Sequence, residues 1–265
     1  MCATALLLFF TGCSNDLLGV FASHDFQNRE TPWNIPAFPG KTEDAPPVTV
    51  PYSFLVVSDI HITDTNTNRF EDIGNRIKEM GDSFAVVTGD ITQSGNRQEL
   101  ETFISIAEGF GVPCYPVIGN HDIFFGNWKH WNELIGSSTY RIDSGSTTLL
   151  MLDTANAVLG AKQLDWLETQ LSTAKKYVFV FTHCNLFVQK GNNIHQLADL
   201  RERDRVLSML DGRCTAMFMG HVHTRILREA GGVQYITLED FKKSGTYCRV
   251  SITEKGMDYE FLTVK

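Results

Sequence analysis

With 265 residues, 43% of them hydrophobic and 20% charged, the chain is long and apolar enough to bury a sizeable core in one large layered domain, and it is not a disordered segment. Its net charge of −8 excludes a protein held to nucleic acid or to an anionic membrane by long-range charge alone, so no stable nucleic-acid binding is expected.

The first element is an apolar run from Ala5 to Phe10, followed by Thr11, Gly12 and Cys13. The run is too short to span a bilayer. Residues 1–12 read as a signal peptide of lipoprotein type, with Cys13 as the lipid anchor. That reading predicts an exported protein at the bacterial cell envelope, on the membrane only through its anchor; the alternative is a tail without a targeting role. Residues 13–51 read as a tether, because six of the eight prolines lie between Pro32 and Pro51 and Pro-rich chain is stiff and extended. Trp33, Ile35 and Phe38 are its candidates for packing on a domain surface.

From Tyr52 the chain alternates. Residues 53–59 read as a buried strand, and the next segment puts Phe70, Ile73, Ile77 and Met80 on one helical face. A second strand spans 84–90. A helix follows with Leu100, Phe103, Ile104 and Ala107 inward, closed by Gly109 or Gly111. A third strand covers 114–120 and a fourth 146–154. Leu164, Leu167 and Leu171 mark another helix, and 177–183 is a fifth strand. The stretch 194–210 reads as a helix with Leu197, Leu200, Val206 and Leu210 inward; 215–221 is a sixth strand, and short strands fill the remainder. The strands are continuous apolar runs, as expected where both faces are covered. An α/β layered architecture follows, with sheets inside and helices outside. Cys114, Cys184, Cys214 and Cys248 lie in or beside these runs without C-x-x-C spacing, and read as buried free thiols rather than a disulfide frame.

The strand ends carry the chemistry. The first ends in Asp59-Ile60-His61, the second in Gly89-Asp90, and the third in Gly119-Asn120-His121-Asp122. The fifth ends in His183 and the sixth in Gly220-His221-Val222-His223. These places hold five of the eight histidines. Ligand groups gather at the carboxyl ends of strands in α/β sheets. If the backbone stays extended there, Asp59 and His61 aim the same way, as do His221 and His223. A glycine before the polar residue lets the chain turn and approach closely. Imidazole and carboxylate together suit Fe, Mn or Zn, and even the seven of these residues that could serve as ligands (Asp59, His61, Asp90, Asn120, His183, His221 and His223) are too many for one ion. His24, His130 and His195 fall outside this order and read as solvated or capping residues. Phe124, Phe125, Trp128 and Trp131, just after the third cluster, either wall a substrate pocket or pack a core helix.

The set D-x-H, GD, GNHD, H and GHxH, in this order over about residues 53–240, resembles the calcineurin-like metallophosphoesterase family. The stretch GDITQSGNRQELETF resembles the family's bacterial cyclic-nucleotide phosphodiesterases. The resemblance implies a four-layer α-β-β-α sandwich, two mixed sheets flanked by helices, as a catalytic domain over 52–265. It also implies a dinuclear centre of two divalent or trivalent transition-metal ions, Mn, Fe or Zn. Carried over by motif, Asp59, His61 and His223 hold one ion and Asn120, His183 and His221 the other, with Asp90 bridging. His121 becomes the general acid or charge stabiliser at the leaving oxygen, and Asp122 orients it. The implied reaction is hydrolysis of a small phosphoester by a hydroxide held between the ions, with a phosphodiester favoured. A phosphomonoester, a nucleotide- or lipid-linked pyrophosphate, and an idle binding module remain as alternatives. After His183 the chain departs from the family pattern with Cys184-Asn185-Leu186, so a substrate contact there differs.

Overall fold

The computed structural model describes residues 47–187 and 196–264. The signal segment, Cys13, His24, Trp33, Ile35, Phe38, His195 and most of the tether lie outside them. Among the described residues no helix is long and apolar enough to cross a membrane.

Two mixed sheets form the centre. The first runs β11 (Gly256–Thr263), β10 (Thr246–Thr253), β1 (Tyr52–Val57), β2 (Ala85–Thr88) and β3 (Cys114–Val117). β1, β2 and β3 are parallel; β10 is antiparallel to both its neighbours. The second runs β4 (Tyr140–Ser144), β5 (Thr147–Met151), β6 (Tyr177–Phe181), β7 (Ala216–Met219), β9 (Val233–Thr237) and β8 (Ile226–Ala230). Its four inner strands are parallel and both edges antiparallel.

The two-residue period of a strand divides the core into three layers. Phe54 and Val56 of β1 face the seam between the sheets, with Phe179, Phe181 and Phe218 from the other side. Leu55 and Val57 face outward onto α1 (Glu71–Met80) and α2 (Arg97–Glu108). On the far side Val178, Val180 and Met217 meet α4 (Ala161–Ser172) and α5 (Leu200–Leu210). The order helix, sheet, sheet, helix is the four-layer sandwich expected. α2 starts at Asn96, whose side chain accepts from the Glu99 N–H, while Glu99 reaches back to Ser94 N–H at 2.8 Å.

Several expectations change. Packing begins ahead of residue 52: Val48 is buried in the seam, and its N–H donates to Ser144 Oγ at 2.9 Å. β4 and β8 are edge strands whose apolar residues are interrupted by half-buried Arg141 and exposed Asp143, and by exposed Arg228 and Glu229, so neither reads as an apolar run. Leu197 is buried but precedes α5, because Asp199 caps the helix by accepting from Arg201 N–H. Leu200 is therefore on the outer face and half exposed. Met80 is also exposed, at the point where left-handed Gly81 ends α1. The cysteines at 114, 184, 214 and 248 are buried and free.

Phe54 is the keystone of the seam: its ring stacks on Phe84 at 4.6 Å and meets Phe179 edge-on at 5.1 Å. Phe54→Ala should cost about 3–5 kcal/mol in urea unfolding; a cost near zero would show that the seam closes without it.

Candidate metal centre

The parallel alignment of β1, β2 and β3 in one sheet, and of β6 and β7 in the other, brings five strand ends to one edge of the sandwich. Asp59, His61, Asp90, Asn120 and His121 come from the first sheet. His183, His221 and His223 come from the second. The convergence is not made by extended backbone. Asp59 (φ 55°), His61 (52°), Asp90 (49°), His221 (71°) and His223 (54°) all lie in the left-handed region. They are five of the nine such non-glycine residues among those described, so strain is concentrated here. The bent loops are laced together, with His61 N–H donating to the Asp90 carbonyl at 2.9 Å and Asp59 N–H to the Gly89 carbonyl at 3.1 Å.

Three overlapping groups of donors result. Asp59, His61 and His223 form one; His61, Asp90 and His121 another; Asp90, His183 and His221 the third. Asp90 belongs to two. His183 Nε2 lies 3.3 Å from Asp90 Oδ1 and 3.1 Å from Asn120 Oδ1, and His221 Nδ1 is 3.1 Å from the same Nε2. His61 Nε2 is 3.8 Å from Asp90 Oδ2. Behind them, a carbonyl fixes each of two rings. His183 Nδ1–H donates to Thr88 O at 2.9 Å, and His121 Nδ1–H to Gln93 O at 2.7 Å. A carbonyl only accepts, so each ring turns Nε2 toward the cluster. Asp59 Oδ2 is saturated by Ser58 Oγ–H at 2.5 Å and His221 N–H at 3.1 Å, which leaves Oδ1 facing inward.

The electrostatics follow from burial. Burial pushes His61 down to about 4, against the pull of Asp90 and Asp59, so the ring is neutral near pH 7 and offers a lone pair. Burial also opposes charge on His183, but Asp90 beside it outweighs this and pushes it up to about 10. Burial raises Asp59 and Asp90 too; hydrogen bonding from His223 and the charge of His183 more than offset it, and both stay below the usual carboxylate range. Asp122 differs. Its carboxylate accepts from Thr92 N–H (2.9 Å), Thr92 Oγ–H (2.7 Å) and Gly119 N–H (2.8 Å), and burial with the nearby Asp90 charge lifts it to about 6. It ties the β2 and β3 loops together. It is not the partner of His121, whose Nδ1 is held by Gln93.

The glycines before the polar residues owe their place mainly to crowding. A Cβ on Gly119 would stand 2.2 Å from Asp90 N, and one on Gly220 2.0 Å from Ser58 Oγ and 2.7 Å from Asp59 Oδ2. Of the aromatic segment, Trp131 is fully buried and Trp128 packs beside the same core, on α3 (Trp128–Leu134). Only Phe124, 4.3 Å from the His121 ring, and exposed Phe125 flank the site. His130 lies within α3 and is not the solvated or capping residue expected, since its Nδ1 is buried without a hydrogen-bond partner. Sequence reasoning missed Gln93, whose Oε1 accepts from Lys242 Nζ at 3.0 Å. It also missed Asp240, 4.0 Å from His223 Nδ1. A surface groove of about 580 Å³ lies at the opposite end of the sandwich, between Pro47, Tyr52, Ser83 and Ser251, and shares no residue with this cluster.

A family model described as calcineurin-like phosphoesterase matches residues 52–225. A curated protein of Fibrobacter succinogenes named as a probable cyclic nucleotide phosphodiesterase is 24% identical over 151 residues, 53% of this chain and 57% of that protein. Among solved structures, a dimetal phosphatase from Danio rerio aligns with a TM-score of 0.63 at 16% identity, covering 81% of this chain and 99% of that one. GAP50, titled the anchor in the inner membrane complex of Plasmodium, aligns at 0.63 with 13% identity, covering 82% of this chain and 86% of that one. At these identities the structures speak for the fold alone.

Gly220→Ala should lower the metal bound per chain relative to wild type, read by elemental analysis, since its Cβ displaces Asp59 or Ser58. Unchanged metal content would show that the loop relaxes without moving the donors.

Proposed function

The chain belongs to the calcineurin-like phosphoesterase family, and we propose that it is a two-metal hydrolase of small phosphodiesters. The observation that carries this is Asp90: a buried, ionised carboxylate shared by two donor groups, with one oxygen toward His183 and the other toward His61. The donors fit a pair of ions. They are nitrogen and oxygen without thiolate, which suits Mn, Fe or Zn. Both ring nitrogens of His61 are buried without a hydrogen-bond partner, a state that costs free energy unless something is bound. Asp59, His61 and His223 would hold one ion, Asn120, His183 and His221 the other, and Asp90 both. Bound there, the ions would supply charge neutralisation for the phosphoryl oxygens and a more acidic water.

The remaining steps belong to the chain. Ser58, Thr88 and the His221 N–H fix the donors before substrate arrives. His121 turns Nε2 to the cluster, 4.0 Å from Asp90 Oδ2, because Gln93 holds Nδ1. As the ester P–O bond breaks, His121, carrying a proton on each ring nitrogen, gives the one on Nε2 to the departing oxygen; water supplies the oxygen that bonds to phosphorus, and the proton it releases restores His121 Nε2–H. The Phe124 ring lies tilted against the His121 ring and limits its swing.

Support for a diester is the name of the Fibrobacter protein, of which the match spans 57%. A phosphomonoesterase is the second reading, since the Danio rerio neighbour is titled a dimetal phosphatase. An idle module is the third, since the same fold occurs in a protein titled an anchor. Export and lipidation at Cys13 belong to the proposal and rest on the apolar run Ala5–Phe10. Labelled palmitate should enter the wild-type protein in cells and not Cys13→Ser; equal labelling of the two would remove the anchor.

The activity test uses purified protein reloaded with Mn²⁺, a nitrophenyl monoester and a bis-nitrophenyl diester. The diester should be cleaved faster, Asp90→Ala should abolish turnover, and His121→Ala should lower kcat by about 10²- to 10⁴-fold with metal content kept. A rate mainly on the monoester would replace the diester reading, and metal-loaded protein inert on both would favour the idle module.

A further inference from the structure

Asp240 stands just before α6 (Phe241–Ser244), a short helix pinned to the first ligand loop. Phe241 N–H donates to the Ser58 carbonyl at 2.9 Å, and Lys242 N–H to the Asp59 carbonyl at 3.2 Å. The Asp240 carboxyl is buried, 5% exposed as a residue, and Oδ2 has no hydrogen-bond partner. Its side chain does not cap the helix it precedes. Two nitrogens lie near Oδ2: Lys243 Nζ at 3.5 Å, on an exposed side chain, and His223 Nδ1 at 4.0 Å. A buried carboxylate oxygen left without a hydrogen bond is destabilising, so its retention asks for a reason.

The rings of the cluster supply one. His183 is held from behind by Thr88 O and His121 by Gln93 O. His223 is the loosest of these imidazoles, with 38% of its side chain exposed against 16% for His121 and none for His183. Its Nε2 is 3.2 Å from Asp59 Oδ1, and its other nitrogen faces Asp240. A carboxylate behind an imidazole ligand fixes its tautomer and raises its basicity.

We propose that Asp240 is the positioning residue of His223: Oδ2 accepts from Nδ1–H and turns Nε2 onto the ion held with Asp59 and His61. The assignment rests on the two-metal reading above. It makes α6 the back wall of one half of the centre only, since among the described residues the Asp240 carboxylate pairs with His223 and Lys243 and with none of His183, Asn120 and His221.

That asymmetry makes the test. Mn²⁺ is titrated calorimetrically into metal-stripped wild-type protein, Asp240→Ala and Asp240→Asn. Wild type should bind two ions. Asp240→Ala should lose about 10- to 100-fold in affinity at one site and leave the other unchanged. Asp240→Asn, whose amide oxygen still accepts, should recover most of that loss. Unchanged affinity at both sites in Asp240→Ala would overturn the proposal. So would equal weakening of both sites in Asp240→Ala and Asp240→Asn alike, which is the mark of a damaged fold. Wild-type protein that binds no ion would instead overturn the two-metal reading, and this proposal with it.

Discussion

The centre is organised around one buried ion pair. Asp90 is 2% exposed, and its carboxylate touches His183 at 3.3 Å, His61 at 3.8 Å and the His121 N–H at 2.9 Å. A carboxylate so enclosed is stable as an anion only if positive charge is supplied. In the protein without ions a proton on His183 supplies it. That contribution is complete below pH 6.5 and fades as pH rises toward about 10. Divalent or trivalent ions would take the proton's place, with the larger charge setting the local field. The neighbouring glycines follow from the same constraint. Gly119 leaves room for the Asp90 carboxylate and backbone, and Gly89 leaves room for the His183 ring.

Much of this was legible in the sequence. The buried strands declared themselves because both their faces are covered, so Phe54-Leu55-Val56-Val57 and Val178-Phe179-Val180-Phe181 read as unbroken apolar runs. The edge strands did not, because Arg141 and Asp143, or Arg228 and Glu229, point outward to water. The polar residues at the strand ends were legible as a set, but their geometry was not. An alternation argument assumes extended backbone, and Asp59 and His61 share a direction by bending through the left-handed region instead. Asp122 misled for a related reason. Adjacency to His121 in sequence suggested a pair, whereas the turn sends the carboxylate to Thr92 and Gly119.

Residues that act from behind the site left the weakest trace. Gln93 works through its backbone carbonyl, which any residue has, so its identity carries no signal for that bond. Asp240 lies 17 positions after His223, beyond a hairpin, at a helix of four residues. Only the fold brings α6 against the Asp59 loop.

The candidate donors are divided between the sheets. Asp59, His61, Asp90 and Asn120 sit on the first, and His183, His221 and His223 on the second, with 162 positions between Asp59 and the His221 N–H that it accepts. No local hairpin or βαβ unit contains a full set. During synthesis the N-terminal half therefore emerges with four donors exposed and no enclosure for an ion, and closure waits for β7 to join. Capture of metal ions there would consequently be a late event, after the two sheets have met, and the ions would act as a clasp on a sandwich already assembled.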